Sequence, residues 1–89
     1  MTVYVDNGRL PLGRMRMAHM LADTLDELHA MARALGLRPE WFQANASTPH
    51  YDVCQAKRAR AIDLGAVPVD GRGIVAVVRR LRKQREPVA

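Results

Sequence analysis

Six side chains of this 89-residue chain have types that could do chemistry together: Asp6, His19, His50, Asp52, Lys57 and Arg58. The densest part of the group is His50-x-Asp52, which is followed five residues later by Lys57-Arg58. Histidine and aspartate serve as general acids and bases and as transition-metal ligands. Lysine and arginine near the start of a helix bind phosphate or carboxylate. The residue types therefore indicate an anion site with proton-transfer or metal chemistry beside it.

We assign the catalytic roles to His19, His50 and Asp52, and ligand binding to Asp6, Lys57 and Arg58. The expected ligand is an anionic small molecule or a nucleotide phosphate, and the matching reaction class is hydrolysis. A metal held by His50, Asp52 and either His19 or Asp6 has suitable ligand types, but the spacing matches no standard motif. Cofactor, metal and enzymatic turnover stay open from the sequence.

The same six residues have a purely structural interpretation. Lys57 and Arg58 then extend along the surface or pair with Asp6 or Asp23, and His19 is a half-buried histidine with an ordinary partner. The chain would in that case be a structural or protein-interaction module. Convergence of the six side chains in one pocket separates this interpretation from the first.

The charge distribution gives a third hypothesis. The net charge is +5, but residues 1–71 hold eight basic and eight acidic residues, so the excess belongs to residues 72–89. A basic terminal helix is typical of contact with a phosphate backbone. The alternative function is therefore a nucleic-acid-binding accessory protein that acts through four side chains: Arg79, Arg80, Arg82 and Lys83.

The elements that must position these residues follow from periodicity and capping signals. Strands are expected at 2–6, 15–20, 40–43 and 66–69, with a loop over 9–14. Thr24 and Glu27 form a capping box for a helix over 25–35 that ends at Gly36. Asp52, or the Ser47–Thr48 pair, is expected to cap a second helix running to about residue 64. Asp70 is expected to cap a third.

This order predicts an α/β (α+β) domain, with a three- to four-stranded sheet covered by about three helices. Residues 1–71 form its core, and residues 72–89 form a basic helix and tail. A homodimer is a further expectation at this size. The single cysteine, Cys54, and the absence of a signal-like segment favour the cytoplasm, and the longest apolar run is too short for a membrane span. Cys54 and most of the methionines are expected in the core.

The pattern also resembles a known family of small bacterial and phage proteins, domain of unknown function 4031. The resemblance is carried by Val3-Tyr4-Val5-Asp6, Gly13-Arg14-Met15, Ala22-Asp23-Thr24, Trp41-Phe42-Gln43, Ser47-Thr48-Pro49-His50-Tyr51-Asp52 and Gly65-Ala66-Val67. It extends over 2–69 and leaves the basic helix outside. It implies one intact domain and brings no activity or catalytic residue with it.

Overall fold

A computed structural model describes residues 2–44 and 48–85. These residues form a mixed five-stranded sheet and three α-helices, an α+β arrangement. The elements in chain order are β1 (Val3–Val5), β2 (Leu10–Leu12), β3 (Met15–Ala22), α1 (Leu25–Leu35), a short 3₁₀ turn (Pro39–Trp41), β4 (Tyr51–Cys54), α2 (Gln55–Asp63), β5 (Val67–Pro68) and α3 (Gly71–Arg85).

The long strand β3 is the centre of the sheet. It pairs antiparallel with β4 along one edge, and with β1 and then β2 along the other. β5 adds to the far side of β1 in parallel. Because Met20 pairs with both Val5 and Tyr51, residues from three strands lie level across the sheet at this point.

The two faces of the sheet are covered unequally. Strand alternation sends Val5, Met20 and Val53 to one face, where α1 and α2 pack over them and form the main core. The opposite face carries Tyr4 and Leu21, and of the three described helices α3 packs there, through a small cluster with Leu21, Val77 and Leu81 at its centre. The remainder of this second face stays open, which leaves room for polar side chains.

The capping signals in the sequence correctly predict both ends of α1 and the start of α3. The Thr24 hydroxyl accepts from the Glu27 N–H, and Gly36 ends α1 in the left-handed conformation at φ 76°. At α3 the Asp70 carboxylate accepts from the Gly73 N–H at 2.7 Å.

One predicted helix start and two predicted elements are wrong. The second helix starts at Gln55 rather than at Asp52, because Tyr51 and Val53 alternate into the core and extend the sheet as β4. The expected strand over 40–43 is a 3₁₀ turn, for which Pro39 supplies the fixed φ. The expected loop over 9–14 contains β2, an edge strand where Pro11 is tolerated, so the sheet has five strands rather than three or four. Ser47, the other expected cap, lies outside the described residues.

Two residue environments also differ from the sequence expectation. Cys54 lies half-buried on β4 and not in the apolar sector of α2. Met20 is fully buried as expected, whereas Met15 is 48% exposed on the open face. Within the part of the chain that the structure describes, no helix is both long and apolar enough to span a membrane.

A polar network attaches α3 to the sheet. The Asp23 carboxylate accepts from the Thr2 N–H at 3.0 Å, from the Tyr4 hydroxyl at 3.0 Å and from the Arg80 guanidinium at 2.6 Å. Arg80 also donates to the Tyr4 hydroxyl at 2.8 Å. The network therefore fixes which side of α3 faces the strands.

Asp23→Ala removes three accepted hydrogen bonds at once. Because the group is partly exposed, we expect a loss of about 1–2 kcal/mol in the free energy of unfolding, measured by urea denaturation. Asp63→Ala is the matched control, since Asp63 is exposed at the C-terminal end of α2. The helix dipole does not stabilise a negative charge at that end. Equal stabilities of the two variants would contradict the assigned role of the network.

Candidate metal centre

The register of the sheet brings four of the six predicted site residues together on its open face. Asp6 follows β1 directly and lies opposite His19, its N–H donating to the His19 carbonyl at 3.0 Å. On the other edge of β3, His19 pairs with Asp52. His50 lies two residues before Asp52 and so points to the same face. Asp6, His19 and Asp52 thus form one row across three strands, with His50 beside it.

Asp6 lies at an irregularity between β1 and β2. Val5 pairs with Met20, and the next paired residue, Leu10, pairs with Met17. The chain therefore advances five residues between β1 and β2 while β3 advances only three. At this bulge the Asp6 carboxylate takes the place of a main-chain carbonyl, because its Oδ1 accepts the His19 N–H at 2.9 Å. The same oxygen accepts the Gly8 N–H at 3.0 Å, which closes the bulge.

The second carboxylate oxygen of Asp6 orients the His19 ring. Asp6 Oδ2 lies 2.8 Å from His19 Nδ1, and the Asp6 side chain is only 8% exposed. Burial by itself raises the pKa of Asp6, but the hydrogen bonds from the His19 N–H, the His19 ring and the Gly8 N–H outweigh it, so the pKa is lowered from 3.8. Asp6 is therefore an ionised acceptor at neutral pH.

Hydrogen bonding fixes the same tautomer in both histidines. The ionised Asp6 can only accept from His19, so the proton of His19 belongs on Nδ1. His50 Nδ1 lies 2.8 Å from the Thr48 carbonyl, which also only accepts, so its proton belongs on Nδ1 as well. Each neutral ring consequently presents an unprotonated Nε2.

The two Nε2 atoms face one carboxylate oxygen. Asp52 Oδ1 lies 3.4 Å from His50 Nε2 and 3.8 Å from His19 Nε2. His19, His50 and Asp52 each offer one ligand atom, and these three atoms all lie within 4.8 Å of one another. Asp52 and His19 side chains are each 36% exposed, so the cluster is reachable from solvent. It can hold a cation in the space between three acceptors.

A pocket of about 220 Å³ adjoins the cluster, lined by His19, Leu21, Thr48, His50, Ile74 and Val78. The residues from α3 form its apolar wall. At about 30 Å³ per water molecule, the volume suits several waters or one phosphate group. The Thr48 hydroxyl is buried and has no hydrogen-bond partner among the residues that the structure describes.

The two predicted cations lie elsewhere. Lys57 Nζ donates to the Leu35 carbonyl at 2.7 Å, at the C-terminal end of α1, and Arg58 Nε donates to the Asp6 carbonyl at 2.6 Å. Each has a main-chain partner, and no carboxylate of the described residues lies within salt-bridge distance of either. Arg58 supports the bulge and Lys57 caps a helix. The two-cation anion site at the start of α2 stays a prediction, and in this structure its two cations are hydrogen-bonded to two different main-chain carbonyls.

Lys57 does face a second, larger cavity of about 520 Å³, which Asp52 and Cys54 also line. Its walls are mainly apolar and include Leu12, Met15, Met17, Leu37 and Trp41. Asp52 is thus shared between this cavity and the histidine cluster.

Four residues of the smaller pocket are not among the predicted site residues: Leu21, Thr48, Ile74 and Val78. Thr48 was considered only as a helix cap, and its carbonyl instead sets the His50 tautomer. Ile74 and Val78 carried a recognisable helical period, but the period does not say which face of the sheet α3 covers.

The family profile described as Protein of unknown function (DUF4031) matches residues 3–81. The chain belongs to this family. The match includes most of α3, so it extends beyond residue 69, where the sequence resemblance was expected to end. Neither the curated proteins nor the solved structures contain a match to the chain.

Asp6→Asn tests how the His19 tautomer is set. Oδ1 must still accept two main-chain N–H groups, so the new amide nitrogen faces His19 Nδ1 and donates to it. We expect the His19 proton to move to Nε2 in the folded variant, as measured by proton–nitrogen correlation NMR of the imidazoles. Asp26→Asn, on the exposed first turn of α1, is the control. An unchanged tautomer in Asp6→Asn would contradict this account of Asp6.

The lowered pKa of Asp6 also predicts a pH dependence of stability. A carboxylate whose pKa is lower in the folded state stabilises the fold above its unfolded pKa, and this stabilisation is lost as pH falls through the folded pKa. We therefore expect the difference in unfolding free energy between the unsubstituted chain and Asp6→Asn to be constant near neutrality and to shrink below about pH 4. Denaturant titrations across that range measure it, and a difference that grows on acidification would contradict it.

Proposed function

We propose that the chain binds one divalent first-row transition metal ion, Zn²⁺ by the chemistry of its donors, and uses it to hydrolyse an anionic ester. The three ligands are His19 Nε2, His50 Nε2 and Asp52 Oδ1. One observation carries the proposal: three hydrogen-bond acceptors converge with no donor between them, because both Nδ1 protons are already given to other oxygens.

A metal ion fits this gap better than a proton does. A proton on His50 Nε2 would have to reach Asp52 Oδ1 across 3.4 Å, which is long for a charge-assisted hydrogen bond, and the 3.8 Å to His19 is longer still. Ligand atoms about 2.0–2.1 Å from a tetrahedral zinc ion lie roughly 3.3 Å apart. The separations of Asp52 Oδ1 from His50 Nε2 and from His19 Nε2, 3.4 Å and 3.8 Å, are close to this spacing.

The groups behind the ligands support the same proposal. In metal centres a ligating histidine usually donates its other N–H to a carboxylate or a main-chain carbonyl, which fixes the ring and raises its basicity. Asp6 and the Thr48 carbonyl are such partners for His19 and His50.

Three protein ligands leave a fourth position for water. Zinc lowers the pKa of bound water to about 7, which supplies hydroxide at neutral pH. With one carboxylate, two neutral imidazoles and a neutral water as ligands, a divalent ion retains one positive charge, so the site attracts an anionic substrate before the bound water loses its proton. The adjoining pocket is large enough for a phosphate group, and phosphoester hydrolysis is the reaction class that fits.

Titration of the metal-free protein with Zn²⁺, followed by calorimetry, tests the proposal directly. We expect one ion per chain and a loss of about 100-fold or more in affinity for His50→Gln. Affinity should also fall on acidification, because imidazole ligands must be neutral to bind. His29→Gln is the matched control, since His29 bonds the Tyr51 hydroxyl on the other side of the sheet.

Catalysis is measured separately with the zinc-loaded protein and bis(4-nitrophenyl) phosphate. We expect turnover that chelation abolishes and that Asp52→Asn lowers together with zinc affinity. Zinc binding that survives in both His50→Gln and Asp52→Asn would overturn the metal site, whereas zinc binding without turnover would overturn the hydrolytic role alone.

A further inference from the structure

We propose that the substrate of this site is a nucleic acid, whose phosphate backbone lies along the exposed basic side of α3 and places one phosphodiester in the pocket beside His19 and His50. The inference rests on the proposed function, because it names the substrate class of the same metal centre. Two independent features carry it, the charge of α3 and its orientation about its own axis.

α3 contains six basic residues and no acidic residue. Five of them are exposed, and we call the four other than Arg80 the basic sector: Arg72, Arg79, Arg82 and Lys83. Among the side chains that the structure describes, none of these four lies in an ion pair, whereas Arg80 pairs with the Asp23 carboxylate. The earlier part of the chain is neutral, so α3 is where a polyanion is attracted.

The orientation of α3 places this charge next to the metal centre. Ile74 and Val78 line the pocket together with the two histidines, and Arg82 follows Val78 by four residues, one turn further along the same side. Arg79 lies next to Val78 on the solvent side. Arg80 points to the other flank, where Asp23 and Tyr4 bind it. The basic sector consequently begins at the rim of the pocket.

The length of the basic sector indicates a polymer rather than a single nucleotide. Residues 72 to 83 extend over about 16 Å of helix axis, which corresponds to about five nucleotides of a strand. The pocket itself, at about 220 Å³, has room for a phosphate group but not for several nucleotides. A bound strand would therefore place one phosphate at the metal and several along α3. This arrangement fits both the small pocket and the long basic sector.

A membrane surface is the other polyanion that basic amphipathic helices bind, and the structure disfavours it. Such helices insert their apolar face between lipids. The apolar face of α3 is already occupied, because Val77 and Leu81 are buried against Leu21 of the sheet.

The reaction balances without any further reactant. One water molecule loses a proton to solvent at the metal, the resulting hydroxide forms a new P–O bond, and the ester P–O bond to one sugar oxygen breaks. That oxygen leaves with a proton from solvent. The products are a phosphomonoester and a free hydroxyl group.

Binding of a fluorescein-labelled single strand of about 20 nucleotides, DNA or RNA, to the full zinc-loaded chain tests the proposal by anisotropy. We expect the double variant Arg79→Gln/Arg82→Gln to lose about tenfold or more in affinity and to lower the log–log salt slope by about 1.4. The matched control is Arg33→Gln/Arg60→Gln, which makes the same change in net charge on exposed residues of α1 and α2. Equal losses in both variants, or binding of anionic vesicles in place of either oligonucleotide, would overturn the proposal.

Cleavage and zinc affinity separate this inference from the proposed function. On a denaturing gel we expect the zinc-loaded chain to shorten the strand, and His50→Gln to retain binding while losing cleavage. Zinc affinity should be unchanged in Arg79→Gln/Arg82→Gln. Zinc binding and bis(4-nitrophenyl) phosphate turnover with no oligonucleotide binding would overturn the substrate assignment alone. Oligonucleotide binding through the basic sector with no zinc binding would overturn the proposed function and, with it, the shared site.

Discussion

The Asp6 carboxylate is the interaction on which the candidate site depends. It accepts two main-chain N–H groups through one oxygen and the His19 ring through the other, so a single side chain closes a bulge and sets a tautomer. Arg58 holds the same residue from behind through the Asp6 carbonyl. If regular pairing replaced the bulge, β1 would continue directly into β2. The Asp6 carboxylate would then lose the main-chain N–H groups from which it accepts hydrogen bonds. The bulge therefore couples the backbone of the sheet to the chemistry of His19.

The candidate site lies on the face of the sheet that the helices cover only in part. α1 and α2 cover the main core on one face, whereas α3 covers the end of the other face near Leu21. The polar row formed by Asp6, His19 and Asp52 lies where coverage stops, so it is partly shielded and still open to solvent. Shielding strengthens electrostatic interactions, and access admits an ion and a substrate. The same helix that shields the site also carries the excess positive charge of the chain.

The sequence was sufficient for elements whose signals are local. The capping box at Thr24, the glycine at position 36 and the Asp70 cap each act within a few residues, and α1 and α3 follow them. The choice between strand and helix after His50 depended on pairing with β3, which is a contact across more than thirty residues of chain. The aspartate that looked like a helix cap is instead held beside His19 by that pairing.

The residues of the candidate site were largely identifiable by type, and their roles were not. The placement of His19, His50, Asp52 and Asp6 on one face depends on register, which one extra residue in a strand would reverse. Lys57 and Arg58 have the residue types of an anion site, yet each serves a main-chain carbonyl, because helix ends and bulges leave carbonyl groups in need of donors. Thr48 had no signal, since it contributes through its backbone.

The most direct measurement is the X-ray absorption spectrum of the protein loaded with one equivalent of Zn²⁺. We predict a first shell of nitrogen and oxygen at about 2.0–2.1 Å, with outer-shell scattering from two imidazole rings and no sulfur. A shell without imidazole scattering, or one containing sulfur at about 2.3 Å from Cys54, would contradict it.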